Sequence, residues 1–138
     1  MRKILLTAAL LCVAVVIVAC GSTGSVQNPI TSVDMYRVKL AYAASLQLAD
    51  DYRTYCWTKT YRQILADPVM KPVCQNRRTV VRGIQKYQPI AGTAVRKADD
   101  FVAKNPVIDA SSVIQLAWTA VTNFQNILPA RSAVPAGG

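Results

Sequence analysis

The side chains able to do chemistry are few in kind. The chain has 138 residues, with four cysteines, no histidine and seven acids, all of them aspartate. Without histidine it lacks the commonest general base, the commonest metal ligand and the usual switch near neutral pH. Ser22, Ser25, Ser111 and Ser112 therefore have no imidazole to activate them. Asp50-Asp51 and Asp99-Asp100 are adjacent pairs. Neighbours on a helix point about 100° apart, so neither pair converges on one ligand. No Gly-rich phosphate loop and no zinc-binding spacing is present in the sequence. The reading is non-enzymatic, with no catalytic residues, no cofactor, no metal site and no evident small-molecule substrate.

Cations carry the stronger signal. Between Arg53 and Lys97 stand ten basic residues and a single acid, Asp67. Arg78, Arg82 and Lys86 follow one another at i, i+4 and i+8, so on a helix they form a row. Like charges at that spacing cost the isolated helix a few tenths of a kcal/mol. Their functional reading is an anion-binding face, set against an ordinary solvated one. Tyr52, Tyr55, Trp57 and Tyr61 interleave with Arg53, Lys59 and Arg62. Aromatics among cations can stack on sugars, lipid headgroups or bases. Tyr52 and Tyr55 fall on or beside an apolar stripe and read as core, whereas Trp57 and Tyr61 project off it as candidate surface aromatics.

Three helical segments must position these groups, and no stretch alternates like a strand. The first is expected over about 32–66, capped by Thr31 or Ser32. Its apolar face is Val33, Leu40, Ala44, Leu48 and Tyr55, flanked by Tyr36, Ala41 and Tyr52. Asp67-Pro68 ends it. The second is expected over about 73–104. There Val80, Ile84, Tyr87, Ala91, Ala94, Val95, Ala98 and Val102 keep one phase straight through Pro89. That continuity predicts one helix, kinked at an outward-facing Pro89, with two shorter helices as the alternative. The third is expected over 110–128 behind an Asp109 N-cap, with Val113, Ala117, Ala120, Val121, Phe124 and Leu128 inward. Pro129 stops it, and residues 129–138 read as a disordered tail. Two long helices and one shorter one on short connections imply an all-α, small antiparallel three-helix bundle. The short third helix would leave part of the groove between the other two uncovered.

The N-terminus adds an address. Met1-Arg2-Lys3 is basic, Ile4 to Ala19 is uncharged and mostly apolar, and Ile17-Val18-Ala19-Cys20 closes the segment. Sixteen residues fall short of the roughly 20 that span a bilayer. This arrangement resembles the lipobox signal peptide of bacterial prolipoproteins, over residues 1–20 only. Plain secretion and a retained helix are the alternatives. The resemblance implies cleavage before Cys20 and lipidation of Cys20, with acyl and diacylglycerol chains as the membrane anchor. Gly21 stands where an Asp retains enterobacterial lipoproteins in the inner membrane, which implies the periplasmic face of the outer membrane. Residues 21–31, GSTGSVQNPIT, then read as a flexible tether, giving a signal at 1–19, a lipidated tether at 20–31 and a domain at 32–128. Loss of Arg2 and Lys3 leaves 14 of the 16 basic residues against seven acids, a mature charge of +7.

The same resemblance sorts the cysteines. With Cys12 removed and Cys20 lipidated, Cys56 and Cys74 remain, and in an oxidising compartment they most simply pair as a disulfide. Two reduced, buried thiols are the alternative. A bond would strain the bundle as drawn. Cys56 lies well inside the expected first helix and Cys74 opens the second, farther apart than a disulfide reaches. Either the first helix ends near Tyr61, or residues 67–73 fold back along it, and the corner is pinned.

The expected role is a membrane-anchored, helical interaction or structural module of the cell envelope. Its basic face would meet an anionic envelope component or a protein. Nucleic acid is disfavoured by location rather than by charge. The alternative is an exclusion or inhibitor lipoprotein of a phage or mobile element.

Overall fold

A computed structural model describes residues 30–135, and the lipobox, Cys20 and most of the expected tether lie outside the described residues. The fold is all-α, without a strand among the described residues. Helix α1 is Ile30–Trp57, α2 Tyr61–Ala66, α3 Met70–Cys74, α4 Arg77–Lys104 and α5 Ser111–Gln125, followed by a 3₁₀ turn at Arg131–Ala133. Helices α1, α4 and α5 pack on one another as an up-down-up bundle. At 1.5 Å per residue α1 and α4 are each about 42 Å long and α5 about 22 Å. Among the described residues no helix is long and apolar enough to cross a membrane.

The single first helix expected over 32–66 is corrected to two. The break at residues 58–60 has a local cause in Thr60-x-x-Gln63, a capping box. Thr60 N–H donates to Gln63 Oε1 at 2.9 Å, and Gln63 N–H donates to Thr60 Oγ1 at 3.3 Å. Those reciprocal bonds satisfy donors that a new helix start would leave unpaired. Asp67 then turns the chain again, its carboxylate accepting from the N–H groups of Val69 and Met70. Ile64, Met70 and Cys74 on the two short helices are buried. They join the same core cluster as the buried residues of the three longer helices.

The second long helix begins at Arg77 rather than 73, because Val73 and Cys74 belong to the separate turn α3. It runs unbroken through an exposed Pro89. Ile84, Ala91, Val95 and Ala98 are buried on the expected face. Helix α5 likewise buries Ala117, Val121 and Phe124. Ile114, absent from the expected stripe, is buried with them. The helix expected over 110–128 behind an Asp109 N-cap is corrected to Ser111–Gln125 with Ala110 at the N-cap, because the Ala110 carbonyl accepts the first helical bond, from Ile114 N–H. Asp109 lies one residue further out, its carboxylate accepting the Ser111 N–H at 2.8 Å. That bond holds the carboxyl below its ordinary pKa.

The inward face of α1 is the main correction. Met35, Val38, Ser45, Ala49, Tyr52 and Cys56 are buried. Val33, Tyr36 and Leu40 are 54%, 61% and 52% exposed, and Ala44 is exposed too. The N-terminal half of α1 is apolar on two sides, so helical periodicity admits two phases there. Ser45 in the middle of the true stripe disguised it. Its hydroxyl donates to the Ala41 carbonyl at 2.6 Å and needs no other partner. The cystine at Cys56 fixes the phase from the other end.

The expected disordered tail is also corrected over residues 129–135. Val134 is buried in the core cluster, and Arg131 lies beside Ala44, Ser45 and Leu48 of α1. The chain after α5 thus extends the cover over α1.

Candidate functional site

The candidate site is the corner where α1 ends and α4 begins. Cys56 and Cys74 form a disulfide across it, with Cα atoms 5.3 Å apart and both residues fully buried. The pinned corner follows from both devices foreseen for it. The first helix stops early, and residues 67–74 return along it. The Tyr52 ring is fully buried one turn before Cys56, and its hydroxyl points to the Val73 carbonyl at 3.4 Å. Burial pushes the Tyr52 phenol above its ordinary pKa, and the nearby Arg77 charge offsets part of that rise.

Arg77 completes the corner. Its Nη1 donates to the carbonyls of Cys56 and Lys59, each at 2.8 Å. These carbonyls lie at the C-terminal end of α1, where backbone acceptors have no helical partner and a cation is favoured. The guanidinium also lies 5.0 Å from the Trp57 ring centroid, within cation–π range. Sequence reasoning counted Arg77 only as one of ten cations. The available signal was its position three residues after Cys74, which a Cys56 bond brings to the end of the first helix.

Trp57 and Tyr61 are both more than half exposed, as expected. They have different neighbours. Trp57 is held against Arg77. Tyr61 opens α2 and borders a concavity of about 460 Å³ with Gln75, Asn76, Arg77, Arg78 and Thr79. Arg78 thus links the basic row to this polar hollow. Arg78, Arg82 and Lys86 are all exposed on α4. Lys86 Nζ sits 5.1 Å over the Tyr87 ring, and Arg82 leans back toward the Arg78 carbonyl. None of the three pairs with a carboxylate among the described residues, whose ion pairs are Arg37–Asp34 and Lys39–Asp99.

Charge is therefore divided between the two ends of the bundle. Arg53, Lys59, Arg62, Lys71, Arg77, Arg78, Arg82 and Lys86 gather toward the α1–α4 corner, against Asp50, Asp51 and Asp67. The opposite end holds the start of α1, the end of α4 and the start of α5. It has Arg37, Lys39, Arg96, Lys97 and Lys104 against Asp34, Asp99, Asp100 and Asp109. Asp99 is bound to Lys39 across the α1–α4 interface, and Asp100 is exposed. A smaller hollow of about 300 Å³ lies between α1 and α5 at this second end, lined by Val38, Ile114 and Trp118 with Asp34, Arg37 and Gln115.

No protein-family model, curated protein or solved structure matches the chain.

Proposed function

We propose that this is a lipid-anchored protein of the cell envelope, attached through Cys20, whose bundle holds a basic corner away from its own membrane for an anionic envelope partner. The carrying observation is the antiparallel course of α1 and α4. The lipobox-like segment precedes α1 in the sequence and α1 begins at Ile30, while Arg78, Arg82 and Lys86 stand toward the other end of helices about 42 Å long. A cationic face meant for the headgroups around its own anchor would be better placed beside the tether. The separation favours carboxylates of the cell wall or an acidic protein over the lipids that hold Cys20. The role is non-enzymatic, in keeping with a sequence that has no histidine.

Two experiments test the reading. Intact mass of the membrane fraction reads the anchor: the wild type carries acyl mass on Cys20, and Cys20→Ala accumulates as uncleaved precursor. Normal processing of that variant would remove the lipoprotein reading. Co-sedimentation of the detergent-purified mature protein with isolated cell-wall sacculi and with envelope proteins reads the basic corner. Binding should weaken at high salt, because exposed charges are screened within about 8 Å at physiological ionic strength. It should also weaken in the Arg78→Ala/Arg82→Ala/Lys86→Ala variant. A partner held equally by the triple variant would rule that face out.

A further inference from the structure

We infer that the opposite end of the bundle is a lipid-docking surface, on which the 105–108 turn and the outer face of early α1 rest in the interface of the bilayer that anchors Cys20. The inference rests on the lipid anchor proposed above and adds a second, non-covalent contact to it.

The turn is built to display apolar side chains. The Ile108 N–H donates to the Asn105 carbonyl at 3.2 Å. Asn105, Pro106, Val107 and Ile108 thus make a closed turn, with Asn and Pro at the first two positions that favour it. The Asn105 side chain donates to the Phe101 carbonyl at 2.9 Å and ties the turn to the end of α4. Fixed in this way, Val107 is 94% exposed and Ile108 is exposed beside it. A short turn between helices is ordinarily polar, and this one places two branched aliphatic residues in solvent.

Early α1 supplies the rest. Val33, Tyr36 and Leu40 recur at helical spacing on the side away from the core and are each more than half exposed. Because α1 and α4 run antiparallel, the first turns of α1 and the 105–108 turn belong to one end of the molecule. The Lys39–Asp99 ion pair marks their register. Apolar area grouped at one end of a bundle marks an interaction surface.

Chain length selects the occupant. Nine residues, 21–29, separate Cys20 from Ile30. Ten residue steps span at most about 36 Å even when fully extended, so the anchored bilayer is always within reach of this end. The charge here is close to balanced, with the five cations Arg37, Lys39, Arg96, Lys97 and Lys104 against the four acids Asp34, Asp99, Asp100 and Asp109, and with Asp34 on Arg37 and Asp99 on Lys39. Contact would therefore be apolar and independent of anionic lipid. Interfacial amphipathic helices settle about 5–10 Å into the headgroup and acyl boundary, and exposed aliphatic side chains at this end would reach the same zone.

The test uses the mature acylated chain with its native cystine, reconstituted in zwitterionic phosphatidylcholine vesicles. A Val107→Cys variant carries an environment-sensitive fluorophore, and an Arg82→Cys variant is its distal reference. Both sites are exposed, so neither substitution disturbs the core. The label at position 107 should shift to the blue and lose most of its emission to shallow nitroxide-bearing lipids, whereas the label at position 82 should keep a water-like spectrum. Equal, water-like spectra at both sites on acylated protein would overturn the inference and leave the anchor standing. Lipid contact at position 82 without contact at position 107 would overturn it by reversing the ends. Disulfide-linked dimers of the unlabelled Val107→Cys variant, with no lipid quenching of the labelled form, would assign the surface to a second copy and also overturn it. Mass of the same samples reads acylation independently: its absence removes the anchor, and the inference falls with it.

Discussion

Arg77 donates two hydrogen bonds from one guanidinium nitrogen, to the Cys56 carbonyl in the last turn of α1 and to the Lys59 carbonyl in the break just after it, both at 2.8 Å. The residue that opens α4 thus closes α1. A cation serves here as a helix C-cap supplied from another helix, and the disulfide beside it carries the load along the chain. Arg77→Ala should destabilise the fold by roughly 2 kcal/mol, the range for hydrogen bonds to a charged group. Arg77→Lys should recover only part of this, because a compact ammonium cannot reproduce the planar stack on Trp57. Chemical denaturation of the three proteins checks the order. Equal stability of Ala and Lys variants with wild type would show that the corner is held without Arg77.

The Cys56–Cys74 bond closes a loop of sequence separation 18. In the chain-entropy account such a loop contributes about 3 kcal/mol. Reduction, or the Cys56→Ala/Cys74→Ala pair, should lower the denaturation midpoint accordingly. Both sulfurs are fully buried, so the oxidised native protein should take up no thiol reagent at these positions. Two reactive thiols in unreduced protein would contradict the pairing.

The corner was half legible in the sequence. The demand of a Cys56 bond against an unbroken helix over 32–66 required a break, and the Thr60-x-x-Gln63 pattern that makes it stood in plain view. Helix α4 was legible because Arg78, Arg82 and Lys86 lie opposite its apolar residues, leaving one way to turn it. The early part of α1 was not legible, since Val33, Tyr36 and Leu40 compete with Met35 and Val38 for the core. Only contacts from α4 and α5 decide between them. The place of Arg77 near the end of α1 was legible from its distance to Cys74, but its partners were not, because they are two backbone carbonyls, which every residue possesses and no sequence marks. The exposed row and the two exposed aromatics were legible, because charge and phase alone determine them.

Tyr52 gives the fold a dependence on alkaline pH. Its folded-state pKa is raised, chiefly by burial. The folded state then holds the phenolic proton more tightly than the unfolded chain does. The associated stability is fully present below the ordinary tyrosine value of 10.0 and is lost as pH rises from there through the folded value. Denaturation midpoints measured from pH 8 to 11 should fall more steeply for wild type than for Tyr52→Phe, which has no proton to lose. Parallel curves would show that Tyr52 is not the titrating group.

Gly92 of α4 lies directly against the Tyr42 side chain of α1. A Cβ placed on Gly92 would lie 2.6 Å from the Tyr42 hydroxyl and 3.3 Å from its Cζ. The hydroxyl points to the Gln88 carbonyl at 3.4 Å, and the ring is tilted against Phe124 with centroids 6.4 Å apart. Moving Tyr42 therefore disturbs contacts with both other long helices. Gly92→Ala gains up to about 1 kcal/mol in helix propensity, but overpacking of a fitted interface costs about 1–3 kcal/mol. The net result should be destabilisation by about 1 kcal/mol. In a Tyr42→Phe background the 2.6 Å conflict is gone and only the 3.3 Å contact remains, so Gly92→Ala should become neutral or stabilising there. A double-mutant cycle by urea denaturation reads this as a coupling of opposite sign to the single change. Additivity of the two substitutions would show that the helices separate freely at this point, and that the Tyr42–Gly92 contact does not set their spacing.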